Sequence, residues 1–304
     1  MSAVAKRETV EVDGRSLTLS NLAKVLYPES GFTKAAVLDY YARIAPVLLP
    51  HLAGRPLTVK RYPDGVGSSM FYMKNAPSHR PDWTRTATLP SPGSTRNRDT
   101  IDYLIVGDLP TLLWVANLAA LELHTPMWRV TGPDQEATQG NPDLLVADLD
   151  PGPPATIVEC AKVARLLRTV VDGPLYAKTS GSKGLQVYGP VTDGRTAEQT
   201  RESMRETAER LAHDHPDLVV SNMRRNLRPG KVLVDWSQNN PAKTTVSVYS
   251  LRALETPRVS TPVSWDEVEA CRTPEDLSFG PEDVLRRVER DGDLFAPLAH
   301  VSSA

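Results

Sequence analysis

In Leu144-Leu145-Val146-Ala147-Asp148-Leu149-Asp150-Pro151, two carboxylates close an apolar run. A short apolar run bounded by Pro-Gly reads as a buried strand over Leu144–Leu149. On a strand, residues two apart face the same side, so Asp148 and Asp150 converge. Like charges this close raise one another's pKa unless a cation offsets them. A pair of hard oxygen ligands at a strand end suits a divalent cation that grips phosphate oxygens. The bland alternative is a solvated turn, since Asp-x-Asp is common before loops.

Outward from this strand, the pattern is a mixed α/β (α+β) one. The stretch TVEVDGRSLTLS predicts a hairpin around Asp13-Gly14. Thr33 caps a helix from about Lys34 to Leu52, with Val37, Leu38, Tyr41, Ile44 and Leu48 at helical spacing. Strands are expected at Leu57–Arg61, Met70–Lys74 and Asp102–Val106, and a largely buried helix at Leu112–His124. Thr156–Val171 reads as an amphipathic helix, and Leu175–Thr179 with Leu185–Tyr188 as strand-turn-strand. Capping boxes at Thr196/Gln199 and Ser264/Glu267 open two more helices, the first running to about Asp214. Lys231–Trp236 and Thr245–Tyr249 read as strands, and Asn75–Thr100 as the longest irregular stretch. The strict rhythm of a doubly wound sheet is missing, so the expectation is two packed modules around a mixed or antiparallel sheet.

Composition narrows the function classes. The chain has 304 residues, 40% hydrophobic and 24% charged, as in globular proteins. Its 35 Lys and Arg against 37 Asp and Glu exclude a uniformly basic coat, so any nucleic-acid surface is a local patch. No apolar stretch is long enough to span a membrane, and MSAVAKRETVEV lacks a signal-peptide core. Cys160 and Cys271 alone supply neither a disulfide framework nor a zinc site. A reduced, cytoplasmic protein is expected.

Other residues fit the same chemistry. Asp235 ends a second apolar strand, giving three carboxylates, the number that holds two metal ions in phosphoryl transfer. Ser180-Gly181-Ser182-Lys183-Gly184 sits between two strands, where backbone N–H groups, hydroxyls and an ammonium can meet phosphates. It lacks the spacing and following helix of a P-loop. Basic clusters lie at Arg55, Lys60 and Arg61, and at Arg224, Arg225, Arg228 and Lys231, where a polyanion's phosphates could be screened, although such runs are usually solvated faces. Phe71 and Tyr72 are available for base stacking, although paired aromatics in a strand are more often core. His124, read singly, is a structural histidine.

Seven segments in order, LSNLAKVLYPESGFTK, LAGRPLTVKRYPDG, LELHTPMWR, LVADLDPG, TSGSKGLQVY, LRPGKVLVDWSQN and KTTVSVYSLRA, closely resemble the polymerase domain of bacterial DNA ligase D. That domain is a member of the archaeo-eukaryotic primase superfamily. The resemblance runs from about Ser20 to Phe295 and implies one primase-like domain over 1–304, with an N-terminal segment 1–55 and a catalytic core of about 56–295. The ligase signature Lys-x-Asp-Gly is absent, which suggests a free-standing polymerase or an excised domain.

The resemblance implies that Asp148, Asp150 and Asp235 bind two Mg²⁺ or Mn²⁺ ions. It further implies nucleotide contacts from Lys60, Phe71, Tyr72, His124, Ser180, Lys183, Gln186 and Arg252, and a primer-template contact from Arg228. Asn21, Lys24 and Lys34 match a pocket for the 5′-phosphate across a gap. One departure stands out: the family pattern has a histidine where this chain has Gln186, which can donate a hydrogen bond but cannot carry charge.

The implied activity is template-dependent extension and short-gap filling with NTPs or dNTPs, in non-homologous end joining or gap/excision repair. Implied partners are gapped or broken DNA, Ku and a separate ATP-dependent DNA ligase, in the cytoplasm at the bacterial nucleoid. The competing readings are a non-catalytic end-bridging module and a metal-dependent nucleotide-sugar transferase. An Asp-x-Asp-x-Thr/Val phosphatase is disfavoured because the fifth position is Gly152.

Overall fold

The computed structural model describes residues 7–91 and 99–301; the MSAVAK opening and part of the Asn75–Thr100 stretch lie outside the described residues. Leu144–Pro151 is the third strand of a six-stranded sheet. Across that sheet the order is Val219–Val220, Val232–Asp235, Leu144–Pro151, Leu185–Pro190, Tyr176–Thr179 and Pro262–Val263. The first pair is parallel and the rest antiparallel.

Alternation along these strands decides what each face meets. Ala147, Leu149, Ala177, Leu185, Val187, Val232 and Val234 point one way and pack on the helices Ile157–Val170 and Ala197–Asp214. Those helices answer with Cys160, Val163, Ala164, Leu167, Met204, Ala208 and Leu211. Val146 and Tyr188 point the other way, into a larger core shared with the helix Lys34–Leu52 and the second sheet. Asp148 and Asp150 belong to this second face, at the junction of the two halves. A helix-backed sheet thus offers its polar row toward the rest of the molecule.

The second six-stranded sheet is antiparallel, ordered Thr245–Val246, Ala120–Thr125, Pro56–Arg61, Thr100–Ile105 and Thr86–Pro90, with Phe71–Met73 also pairing to Pro56–Arg61. Helix Lys34–Leu52 starts where the Thr33 cap requires, the Thr33 hydroxyl accepting from the Ala36 N–H at 3.2 Å. It buries Val37, Tyr40, Tyr41, Ile44 and Leu48. The Tyr41 hydroxyl donates to Leu121 O at 2.7 Å and the Tyr40 hydroxyl to Tyr249 O at 2.8 Å, tying helix to sheet. The Asp13-Gly14 hairpin forms with both residues at positive φ, 48° and 73°, as its two-residue turn demands.

Three expectations need correction. Leu112–His124 is not one helix: Leu109–Asn117 is helical, Ala119 turns the chain at φ 58°, and Ala120–Thr125 is a strand. That strand is short and buried at every position, and a short buried run reads alike as helix or strand. Asn75–Thr100 is not wholly irregular, because Thr86–Pro90 pairs along Thr100–Ile105. The Thr245–Tyr249 strand is only Thr245–Val246, after which the chain turns to reach the first sheet. Cys160 and Cys271 are buried and unpaired. Among the described residues, no helix is long and apolar enough to cross a membrane.

Candidate active site

The register of the first sheet lines up four polar side chains on one face. Asp235 pairs with Asp148, Asp148 with Gln186, and Gln186 with Lys178. Directly opposed residues share a face, and Asp150 joins them two residues beyond Asp148. Burial, and then the charges of Asp150 and Asp235, push the Asp148 carboxyl up to about 7, against the pull of Gln186 and Lys178. Burial and Asp235 raise Asp150 as well, while Arg228 pulls it down. The two carboxylates therefore lack positive charge.

Asp235 is differently placed. Its Oδ1 accepts from the Ser237 N–H at 3.0 Å and the Ser237 hydroxyl at 2.5 Å, and Oδ2 accepts from Gln238 Nε2 at 3.1 Å. Among the described residues, no three Asp, Glu, His or Cys side chains are placed to hold a metal ion as they stand. The donor set nevertheless fits a hard cation chemically: carboxylate oxygens only, two of them short of positive charge.

Two glycines let neighbouring segments press on this strand. A Cβ at Gly184 would lie 2.2 Å from Leu149 O, so only glycine brings the Ser180–Gly184 turn against the carboxylate strand. A Cβ at Gly152 would lie 2.1 Å from Arg228 O, so the loop carrying Arg228 closes on the strand end in the same way. In the turn, the Ser180 N–H donates to Gly184 O at 2.9 Å, and the Ser180 hydroxyl accepts from the Ser182 and Gly184 N–H groups at 3.3 and 3.1 Å. Lys183 is exposed at its tip.

Facing this sheet is a cluster that the sequence reading missed in its organiser. Glu122, 3% exposed, pairs with Lys60 Nζ at 2.8 Å and His124 Nε2 at 2.9 Å, and Arg252 Nε lies 3.3 Å away as a charge without a hydrogen bond to it. Burial opposes its ionised form, yet the His124 hydrogen bond, the Arg252 charge and the Lys60 hydrogen bond hold Glu122 well below the ordinary carboxylate range. Burial lowers the His124 imidazole, with Glu122 pulling it back up. Arg252 also donates to Ser180 O at 3.0 Å, joining this cluster to the Ser180–Gly184 turn. Three residues expected to contact the nucleotide, Lys60, His124 and Arg252, thus gather on one carboxylate. A clue was present: Glu122 and His124 alternate with Leu121 and Leu123, a strand's polar face inside an apolar run.

Phe71 and Tyr72 are not core. They are 54% and 57% exposed on the strand beside Lys60, whose ammonium lies 5.8 Å from the Tyr72 ring centroid. Arg55, in contrast, is no surface cation: it is buried and donates to Asp143 at 2.6 Å. Lys231 is likewise engaged, donating to Pro216 O at 2.6 Å, and Arg228 to Met223 O at 2.6 Å. Gln186 is 3% exposed and bonded between Asp148 and Lys178, rather than open toward Lys183.

A second basic locus forms at the Asn21–Lys24 turn. Asn21 adopts φ 54°, the Lys24 N–H donates to Asn21 O at 2.9 Å, and the Lys34 N–H donates to Lys24 O at 2.8 Å. Lys24 Nζ lies 2.7 Å from Asp64. Lys34 Nζ donates to Ser20 O at 2.6 Å, and burial, then Lys24 and Arg61, bring its pKa down to about 8.

With this geometry in hand, the likeness to known proteins is specific. Residues 33–295 match the family described as LigD, primase-polymerase domain, and the chain belongs to that family. It is 41% identical over 283 residues to the multifunctional non-homologous end joining protein LigD of Mycolicibacterium smegmatis, covering 92% of this chain and 36% of that protein. It is 30% identical over 283 residues to the bifunctional LigD of Bacillus subtilis, covering 43% of it. The chain thus spans well under half the length of these curated relatives. The polymerase domain of Mycobacterium tuberculosis ligase D, solved in complex with DNA, superposes with a TM-score of 0.86 at 39% identity, covering 93% of this chain and 98% of that one. The mixed α/β fold expected from the resemblance is the fold observed.

Proposed function

We propose that this chain is a template-dependent nucleotidyltransferase that extends primers and fills short gaps in broken DNA with NTPs or dNTPs, as part of non-homologous end joining. The observation that carries this reading is the pairing of two opposite centres: a carboxylate row short of positive charge, and a Lys60–His124–Arg252 cluster tied to the adjoining turn. A nucleoside triphosphate needs both, cations for its phosphates and carboxylates for its metal ions. Asp148, Asp150 and Asp235 would hold two Mg²⁺ or Mn²⁺ ions, which would acidify the primer 3′-hydroxyl and offset the triphosphate charge.

The chain's own residues have separate tasks in this reading. Lys60, Arg252, Ser180 and Lys183 bind the triphosphate, and His124 approaches the sugar and phosphates. Phe71 and Tyr72 give an exposed aromatic platform for the base. Gln186 bears on the site through Asp148. Arg228 approaches primer and template, and Asn21, Lys24 and Lys34 receive the 5′-phosphate beyond the gap. Gapped duplex with a downstream 5′-phosphate is the substrate, with Ku and an ATP-dependent ligase as partners.

Extension on a gapped duplex tests this, with NTPs and dNTPs in competition, in Mn²⁺ and in Mg²⁺. Asp148→Ala or Asp150→Ala should reduce extension to the no-enzyme level while DNA binding persists, because phosphate contacts come from Lys and Arg. NTPs should be used at least as well as dNTPs. Near-normal extension by either variant would overturn the metal assignment.

A further inference from the structure

Lys178 occupies an unusual place for a lysine. It is 1% exposed, and its ammonium uses all three donors on neutral oxygens: Gln186 Oε1 at 2.5 Å, Ser260 Oγ at 2.7 Å and Val246 O at 3.0 Å. The Tyr188 ring lies 5.4 Å away. A buried ammonium without a carboxylate partner is costly, so its retention asks for a reason beyond packing.

The reason lies one strand over. An ammonium can only donate, so the oxygen of the Gln186 amide must face Lys178. The NH₂ end must then face the other way, and Nε2 donates to Asp148 Oδ1 at 3.0 Å. Freed from Lys178, the amide could rotate and present its oxygen to Asp148, a contact that only a protonated carboxyl tolerates. We propose that Lys178 is a positioning residue for Asp148, acting through Gln186: it fixes the amide so that a donor always meets Oδ1. The other Asp148 oxygen, which has no hydrogen-bond partner among the described residues, is then left for a cation.

This arrangement also answers the departure at position 186. Lys178 pairs directly across the sheet from Gln186, so a donor group already stands beside position 186, although burial lowers its pKa well below the usual ammonium range. Replacing Gln186 with histidine alone would set a second potential cation against a buried ammonium. That substitution should weaken the site rather than improve it.

The inference rests on the metal-dependent reading above. It is tested by titrating Mn²⁺ into the wild-type chain, Lys178→Met, Gln186→Met and Asp148→Asn, with free Mn²⁺ followed by electron paramagnetic resonance. Loss of a group that orients a metal ligand typically costs about tenfold or more in metal affinity. Lys178→Met and Gln186→Met should each weaken Mn²⁺ binding by about that factor, and lower kcat with little change in nucleotide KM. A folded Lys178→Met that binds Mn²⁺ like the wild type would overturn the inference; should that variant not fold, wild-type binding by Gln186→Met would do the same. Wild-type Mn²⁺ binding by Asp148→Asn would instead overturn the metal reading itself. Lys178→Met combined with Gln186→His should recover binding over Gln186→His alone, and no recovery would count against the orienting role.

Discussion

Two acidic centres adjoin the Ser180–Gly184 turn, and they are opposites. Glu122 is buried among Lys60, His124 and Arg252, and its pKa is driven down. Burial, and then neighbouring carboxylates, drive the pKa of Asp148 and Asp150 up. The first centre is electrostatically complete and holds cations in place. The second is incomplete, and in the proposed function cations from outside complete it. Folding stability accounts for a centre like Glu122; only function accounts for one like Asp148.

The largest expected effect is at the complete centre. Glu122→Gln leaves Lys60, His124 and Arg252 crowded without their counter-charge. Removing one partner of a buried ionic cluster costs about 3–5 kcal/mol. Urea unfolding should show a loss of that size, together with a raised nucleotide KM. A loss under about 1 kcal/mol would mean that the cluster is solvated and organises nothing.

An intermediate effect is expected at the incomplete centre, with the opposite sign. A carboxyl whose folded pKa is raised from about 3.9 to about 7 favours the folded state when protonated. Stability of the metal-free protein should therefore fall as pH rises from about 4 to about 7 on account of this group, and level off above it. Asp148→Asn should flatten that slope and melt higher than the wild type at pH 8 without metal. Identical slopes for the two proteins would remove the contrast between the centres.

The smallest effect is at the periphery. Lys24 is exposed and shared with Asp64, while Lys34 is buried with its pKa lowered to about 8. Lys24→Ala with Lys34→Ala should remove a several-fold preference for 5′-phosphorylated gaps and spare extension on an open primer-template. Equal binding of phosphorylated and unphosphorylated gaps by the wild type would dispose of the pocket.

How much was legible follows the same division. Asp148 and Asp150 could be read because strand alternation puts them on one face at a Pro-Gly boundary, and Asp235 because its strand ends alike. The helices with good caps, Lys34–Leu52 and Ala197–Asp214, were equally plain. Glu122 was hidden because Ala120–Thr125 is short and follows closely on the helix Leu109–Asn117, so its brief alternation was absorbed into one long apolar run that reads as helical. Lys178 was hidden because a lone lysine before a Gly-Ser turn reads as solvated. Its burial comes from Val246 and Ser260, residues far along the chain that only the tertiary fold brings near. Exposure of Phe71 and Tyr72 was invisible for the converse reason, since nothing local says that no layer covers them.

The contrast between the centres is tested most directly by the melting temperature of wild type and Asp148→Asn, each with and without saturating Mn²⁺. Ligand at about 100 times its Kd stabilises by about 2.7 kcal/mol, or about 4 °C for a chain of this size. Mn²⁺ should raise the wild-type Tm by about that much and leave Asp148→Asn nearly unmoved. An equal shift in both proteins, or none in the wild type, would contradict the account.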